Sequence, residues 1–331
     1  MSATGTIAGL GKPVSRLVLG VDNQVNPAAA APLFDDYLER GGNAFDTAFV
    51  YGGGQCETLL GAYLEQTDLR ERVVILGKGA HTPNCNPTAI GAQLEVSLER
   101  LHTDFVDIYM MHRDNPDVPV GEFIDALNAQ FALGRMRVFG VSNWSLERMS
   151  AANQYAASKG LRGITVASNQ FSLAKMLEPI WSGCVSSNDM AQLAWLEREQ
   201  IALMPWSSQA RGFFVAGDPS DTSNPELVRC WYDDANFQRL ERAKILAGAL
   251  GVETINVALA YVLHQPFKTF PLIGPRSVSE TASSFRALEI VLTPSEVAWL
   301  NLEEAPPLEP EVQSGASTTN RRGVAAQPEG A

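Results

Sequence analysis

The sequence predicts an α/β chain closed into a (β/α)8 TIM barrel, with extra C-terminal helices and long loops over the barrel mouth. Three observations carry this expectation. Short apolar stretches rich in β-branched residues alternate with segments of helical period, the pattern of repeated βα units around a parallel sheet. The strand-like stretches number eight, which favours a closed barrel. The chain has 331 residues, 45% of them hydrophobic, and exceeds the roughly 250 that one such barrel needs, so a single domain accounts for residues 1–302.

In chain order, strands are expected at residues 17–21, 43–46, 73–77, 105–111, 137–141, 166–170, 202–206 and 270–274. Amphipathic stretches at 27–40, 55–65, 87–101, 120–133, 145–158 and 189–199 lie between them, each long enough for a crossover helix. Residues 236–250 and 254–264 then give two successive helical patterns before the eighth strand, one more than a minimal barrel requires. Thr293 is a natural N-cap and Pro294 a suitable first-turn residue for a last helix through Leu302. From Glu303 onward Pro, Ala, Glu, Gly and Ser dominate without period, and residues 303–331 are expected to form a disordered tail. Residues 207–235 show neither period, because Gly, Pro, Asp and Asn interrupt their aromatic residues. That stretch reads as a loop over the barrel mouth.

Composition narrows the function classes. A formal charge of −12 would repel phosphate backbones, and no basic run is interleaved with aromatics, which argues against nucleic acid as a partner. No apolar stretch approaches the ~20 residues needed to cross a bilayer, and the first twenty residues contain no unbroken apolar run. A soluble, cytoplasmic protein without a membrane partner is expected. Cys56, Cys85, Cys184 and Cys230 are widely separated and form no CxxC pair, so reduced thiols are expected rather than a zinc site or a disulfide framework. The sequence leaves the oligomeric state open.

In a barrel of this kind, chemistry sits at the C-terminal ends of the strands. Four polar residues stand there. Asp46 ends NAFD, Tyr51 follows in FDTAFVYGGG, Lys78 ends VVILGK and His112 ends FVDIYMMH. Singly, each has an ordinary structural reading: a turn cap, a loop aromatic, a post-strand charge and a satisfied histidine. Together they bring an acid, a phenol, an amine and an imidazole to the ends of consecutive strands. A free tyrosine, with a pKa of about 10, is a poor proton donor near neutrality. An ammonium from Lys78 is expected to lower the Tyr51 pKa, with Asp46 holding Lys78 charged and oriented. His112 would donate a hydrogen bond to a substrate carbonyl.

FDTAFVYGGGQCETLLGAYL, ILGKG, DIYMMHRDNP, GRMRVFGVSNW, SNQFSL, PWSSQARGFF and PLIGPRS follow one another along the chain. In this order, and with tetrad spacings of 5, 27 and 34 residues, the sequence resembles the aldo-keto reductases from Leu17 to Leu302. The resemblance implies that Asp46, Tyr51, Lys78 and His112 form a catalytic tetrad, and that extra helices lie outside the minimal barrel. It further implies 4-pro-R hydride transfer between NADP(H) and a carbonyl or alcohol substrate, with Tyr51 as general acid or base and no metal.

The same resemblance outlines a cofactor site. Ser142, Asn143 and Gln170 match positions that hydrogen-bond the nicotinamide carboxamide, and Trp206 matches an aromatic stacked on the ring; its alternative is a buried core aromatic. Ser207, Ser208 and Arg211 would line the pyrophosphate, although Arg211 also fits a solvated loop charge. Gly274, Arg276 and Ser277 match the segment that approaches the adenosine 2′-phosphate, where a planar guanidinium favours NADPH over NADH. Two residues depart from the pattern: Ser284 stands where many members have Asn at the adenine, and Glu280 where Arg or Gln is usual. On the substrate side, GVDNQ places Asp22 beside the cavity, where a carboxylate suits substrate hydroxyls and equally a turn or a salt bridge, and Phe49, Trp144, Phe213, Phe214, Trp231 and Tyr232 are expected to make an aromatic mouth suited to sugars or small aromatic aldehydes. Asp22, Arg113 and Asp114 add polar contacts that lean towards a polyol or sugar-like ligand. An alternative from another class is a nucleotide-sensing binding protein resembling the β subunits of potassium channels, with little turnover and a large exposed apolar patch.

Overall fold

The computed structural model describes residues 3–303. Eight strands form one parallel sheet: β1 (Val18–Gly20), β2 (Ala44–Asp46), β3 (Val74–Gly79), β4 (Val106–Met111), β5 (Met136–Ser142), β6 (Val166–Ser168), β7 (Ala202–Leu203) and β8 (Leu272–Ile273). Their order is β8-β1-β2-β3-β4-β5-β6-β7. A parallel bridge between Leu203 and Thr269 joins the last member back to the chain entering β8. There Phe270 N–H donates to Leu203 O at 2.8 Å, and Leu272 N–H to Pro205 O at 3.0 Å. The chain is a (β/α)8 barrel.

Helices α1 (Pro27–Glu39), α2 (Gln55–Thr67), α3 (Pro87–Arg100), α4 (Val120–Ala132), α5 (Leu146–Lys159) and α6 (Met190–Arg198) connect successive strands at the expected places. Asn26, Asn86, Ser145 and Asp189 start four of them by accepting first-turn N–H groups, and Pro27 and Pro87 supply a pre-set first turn. The stretch 207–235 is not all loop. It holds short helices α7 (Phe213–Ala216) and α8 (Pro225–Trp231) before α9 (Asp234–Leu250) and α10 (Thr254–Leu263). The signal for α8 was local: Asn224 caps it ahead of Pro225, but seven residues are too few to display a period. Helices α11 (Val278–Arg286) and α12 (Pro294–Leu300) are the last among the described residues, with α11 unforeseen. The expected tail falls, beyond Glu303, outside the described residues.

Two apolar layers follow from the two-residue period of the strands. Val18, Ala44, Val74, Leu76, Ile108, Met110, Val138, Val166, Ala202 and Met204 fill the barrel interior. Leu19, Phe45, Ile75, Tyr109 and Val141 face the helices. An N-terminal hairpin, Thr4–Gly5 against Val14–Ser15, adds Ile7, Leu10 and Val14 to the inner layer and plugs one end of it. Among the described residues no single helix is long and apolar enough to cross a membrane. The apolar composition of α10 reflects burial within the protein of every residue from Asn256 to Leu263.

Candidate active site

Continuing the inward series by two residues past the packed interior reaches the open rim of the barrel. Ala44 leads to Asp46, Leu76 to Lys78 and Met110 to His112, all three of them buried. Pairing beyond β2 carries the chain onward: Thr47 N–H donates to Leu76 O and Phe49 N–H to Lys78 O, both at 2.8 Å. Gly52, Gly53 and Gly54 then turn with φ of 54°, 62° and 98°, a left-handed run that returns Tyr51 to the rim. At Gly54 a Cβ would also meet the Arg100 guanidinium at 2.4 Å. That guanidinium holds the loop, donating to Phe49 O and to Glu57 Oε2, each at 3.0 Å, and lying 4.6 Å from the Phe49 ring centre.

The four residues converge. The Tyr51 and His112 rings meet edge to face with centroids 5.5 Å apart, and Lys78 Nζ stands 5.0 Å from the Tyr51 ring centre. Lys78 donates to the Asp46 carboxylate in a buried ion pair. The same inward parity places Ser142 on the rim at the end of β5, and Gln170 and Trp206 there just beyond β6 and β7. The Ser142 hydroxyl donates to Ser168 O at 2.6 Å, and Asn143 Nδ2 donates to Ser142 Oγ at 2.9 Å and His112 O at 3.3 Å. Gln170 bridges Ser172 and Ser186 at 2.8 and 2.9 Å. Trp206 is half-buried and its indole Nε1 has no protein partner.

The sequence profile of the Aldo/keto reductase family matches residues 16–301. The chain belongs to the aldo/keto reductase family. It is 28% identical over 312 residues to the uncharacterized oxidoreductase YrpG of Bacillus subtilis, covering 88% of this chain and 92% of that one. Norsolorinic acid reductase A of Aspergillus parasiticus is 25% identical over 304 residues, covering 88% and 74%. Among solved structures, an aldo/keto reductase of Klebsiella pneumoniae in complex with NADP and acetate superposes with a TM-score of 0.71 at 23% identity, covering 93% and 98%.

Electrostatics within this barrel correct one expectation. Burial pushes the Tyr51 phenol well above the ordinary tyrosine range, and the nearby carboxylates of Asp46 and Asp22 push the same way. The cation opposing them is Arg113. Lys78, whose charge is paired with Asp46, does not outweigh burial and these carboxylates in this state. Burial also raises the Asp46 carboxyl, outweighing the pull of Lys78. His112 moves down, first through burial and then through Lys78, Arg113 and His81, and its imidazole is neutral with Nδ1 unpartnered.

The residues expected to line the cofactor phosphates stand on the loops after β7 and β8. Ser208 ties them together, its hydroxyl donating to Leu272 O at 2.7 Å. Ser207, Ala210 and Arg211 have φ of 49°, 50° and 50°. Arg211 is held by Glu226 at 2.5 Å and lies 5.3 Å from the ring centre of Trp181, which sits 6.0 Å from Trp206. Gly274 and Arg276 are exposed. Ser277 caps α11, and Glu280 accepts from the Arg276 N–H at 2.8 Å. Ser284 faces its own helix, its hydroxyl donating to Glu280 O at 3.0 Å.

The expected aromatic mouth is mostly core. Trp144 is 0% exposed, packs against Phe123 and donates its indole N–H to Arg113 O at 3.2 Å, so it does not line the opening. Phe213, Phe214 and Trp231 are likewise buried. Phe49 and Tyr232 are half-buried, the former under Arg100. Asp22 is exposed on the rim after β1, whereas both Asp114 oxygens are taken by Arg148 at 2.8 and 2.9 Å. Two unforeseen residues stand at the site: His81, whose ring centre is 4.8 Å from that of His112, and Trp181, 50% exposed beside Trp206.

Proposed function

We propose that the protein is an NADP(H)-dependent aldo-keto reductase in which Tyr51 exchanges a proton with the oxygen of a carbonyl or alcohol substrate. The convergence of Tyr51, His112 and the buried Lys78–Asp46 pair on the inner rim carries this reading. The residues fit a dinucleotide. Trp206 offers a half-exposed flat face and an unpartnered indole N–H, and Arg276 with the first turn of α11 offers donors suited to a phosphate. The NADP held by the Klebsiella pneumoniae neighbour supports the same cofactor.

When bound, the nicotinamide supplies or accepts the hydride. Ser142, Asn143 and Gln170 would hold its carboxamide by exchanging their present protein partners, while Ser207, Ser208 and Arg211 flank the diphosphate. The neutral His112 donates a hydrogen bond to the substrate oxygen and fixes its approach. Tyr51, protonated at neutral pH, gives its proton to that oxygen as negative charge develops there, or takes it back in alcohol oxidation. The Lys78–Asp46 pair presents an ammonium beneath the phenol and stabilises the phenolate left behind. The reductase name of the Aspergillus parasiticus relative supports reduction as the direction to test first.

The test is NADPH consumption against aldehydes, ketones and oxidised sugars, for the wild type and Tyr51→Phe. The variant is expected to lose at least about 100-fold in turnover while binding NADPH with nearly wild-type affinity. Full activity in Tyr51→Phe rejects the assignment.

A further inference from the structure

We propose that Arg113 anchors a carboxylate on the substrate, so that the protein selects carbonyl compounds bearing an acid group. This deepens the reductase reading above and rests on it. Lys78 and Arg113 are the two buried cations among the described residues. Lys78 has Asp46. Arg113, only 7% exposed, has no ion pair among the described residues; its guanidinium makes one hydrogen bond, from Nη1 to His112 O at 2.9 Å. The adjacent acid, Asp114, is turned away into its double contact with Arg148. The more exposed Arg70 and Arg100 pair with Asp107 and Glu57.

A guanidinium withdrawn from water without a counter-ion is costly, and its five donors form a fork matched to a carboxylate. Arg113 is also held firmly in place. The Trp144 indole N–H and the Cys85 thiol both donate to its carbonyl at 3.2 Å. Its guanidinium is bonded to the His112 carbonyl, next to the residue assigned to the reacting oxygen, and its charge acts on both His112 and Tyr51.

Sheet order distinguishes a substrate group from a cofactor phosphate. Ser207, Ser208, Arg276 and Ser277 follow β7 and β8, whereas Arg113 follows β4, half-way round the ring from β8. An anion reaching Arg113 therefore approaches from the opposite side of the mouth. Asp22, on the rim after β1, repels the same anion and sets its orientation. Two neighbours of Arg113, Cys85 and Cys184, are buried thiols whose own pKa values are raised, first by burial, so neither supplies the missing charge near neutrality.

Calorimetric titration of the intact protein with benzoate and with benzamide tests the anchor without turnover. Wild type is expected to prefer benzoate by about 30-fold, Arg113→Gln by less than about threefold, and Arg113→Lys by an intermediate factor. A parallel assay compares kcat/KM for 4-carboxybenzaldehyde with that for its methyl ester, where the acid-to-ester ratio should fall by a similar factor in Arg113→Gln. General damage to the fold would lower both substrates together and leave this ratio in place. An unchanged ratio in Arg113→Gln, or equal wild-type binding of benzoate and benzamide, overturns the proposal. If the wild type reduces no carbonyl compound, the reductase reading fails, and the benzoate titration still decides whether Arg113 binds a carboxylate.

Discussion

His112 should make the protein acid-sensitive by a calculable amount. Its imidazole is buried and lies well below the ordinary histidine range, chiefly through burial and then through Lys78, Arg113 and His81. In the unfolded chain the same ring takes up a proton near pH 6.5. Below that pH, folding must expel the proton, so the unfolded state binds more protons and stability falls as pH falls. With the folded imidazole kept neutral throughout this range, the cost is RT ln(1 + 10^(6.5 − pH)), roughly 0.1 kcal/mol at pH 7.5 and about 1.4 kcal/mol at pH 5.5. His112→Gln removes this linkage while His264, whose pKa burial also lowers, remains in both proteins. Urea unfolding at pH 7.5, 6.5 and 5.5 measures the effect. The wild type should lose about 1.3 kcal/mol relative to the variant between the two extremes. A pH-independent difference, or one of opposite sign, would refute the buried neutral imidazole and with it the hydrogen-bond donor at the substrate oxygen.

Two further substitutions probe the frame of the site. Arg100→Met leaves Glu57 buried without its cation and frees the Phe49 carbonyl, and should cost about 3 kcal/mol in chemical denaturation. Glu57→Gln, which removes the buried charge together with the pair, should cost clearly less; equal losses would show that the charge is not what matters there. Arg276→Ala should weaken NADPH binding about tenfold and NADH binding less than about threefold by fluorescence titration. Equal weakening of the two would remove the 2′-phosphate contact from the cofactor reading.

The boundary between what the sequence discloses and what it hides follows backbone parity. Eight apolar stretches disclosed eight strands because a strand buried on both faces must be continuously apolar. Within each strand, alternation fixed which residues point inward, and the first polar inward residue past the packed interior is Asp46, Lys78 or His112. Parity fails at the first left-handed residue. Asn143, with φ of 61°, interrupts the series after Ser142, so Trp144 packs outward against Phe123 instead of lining the mouth. Ala80, with φ of 54°, does the same after Lys78 and brings His81 against His112. An asparagine at such a position is at least a hint, since its short polar side chain tolerates that region, but an alanine gives none. Arg113 stood in plain sight beside His112, yet its importance lies in a missing partner. Whether a cation has a counter-ion depends on distant residues such as Arg148 taking Asp114, a competition settled only when the loops after β4 and the start of α5 are brought together.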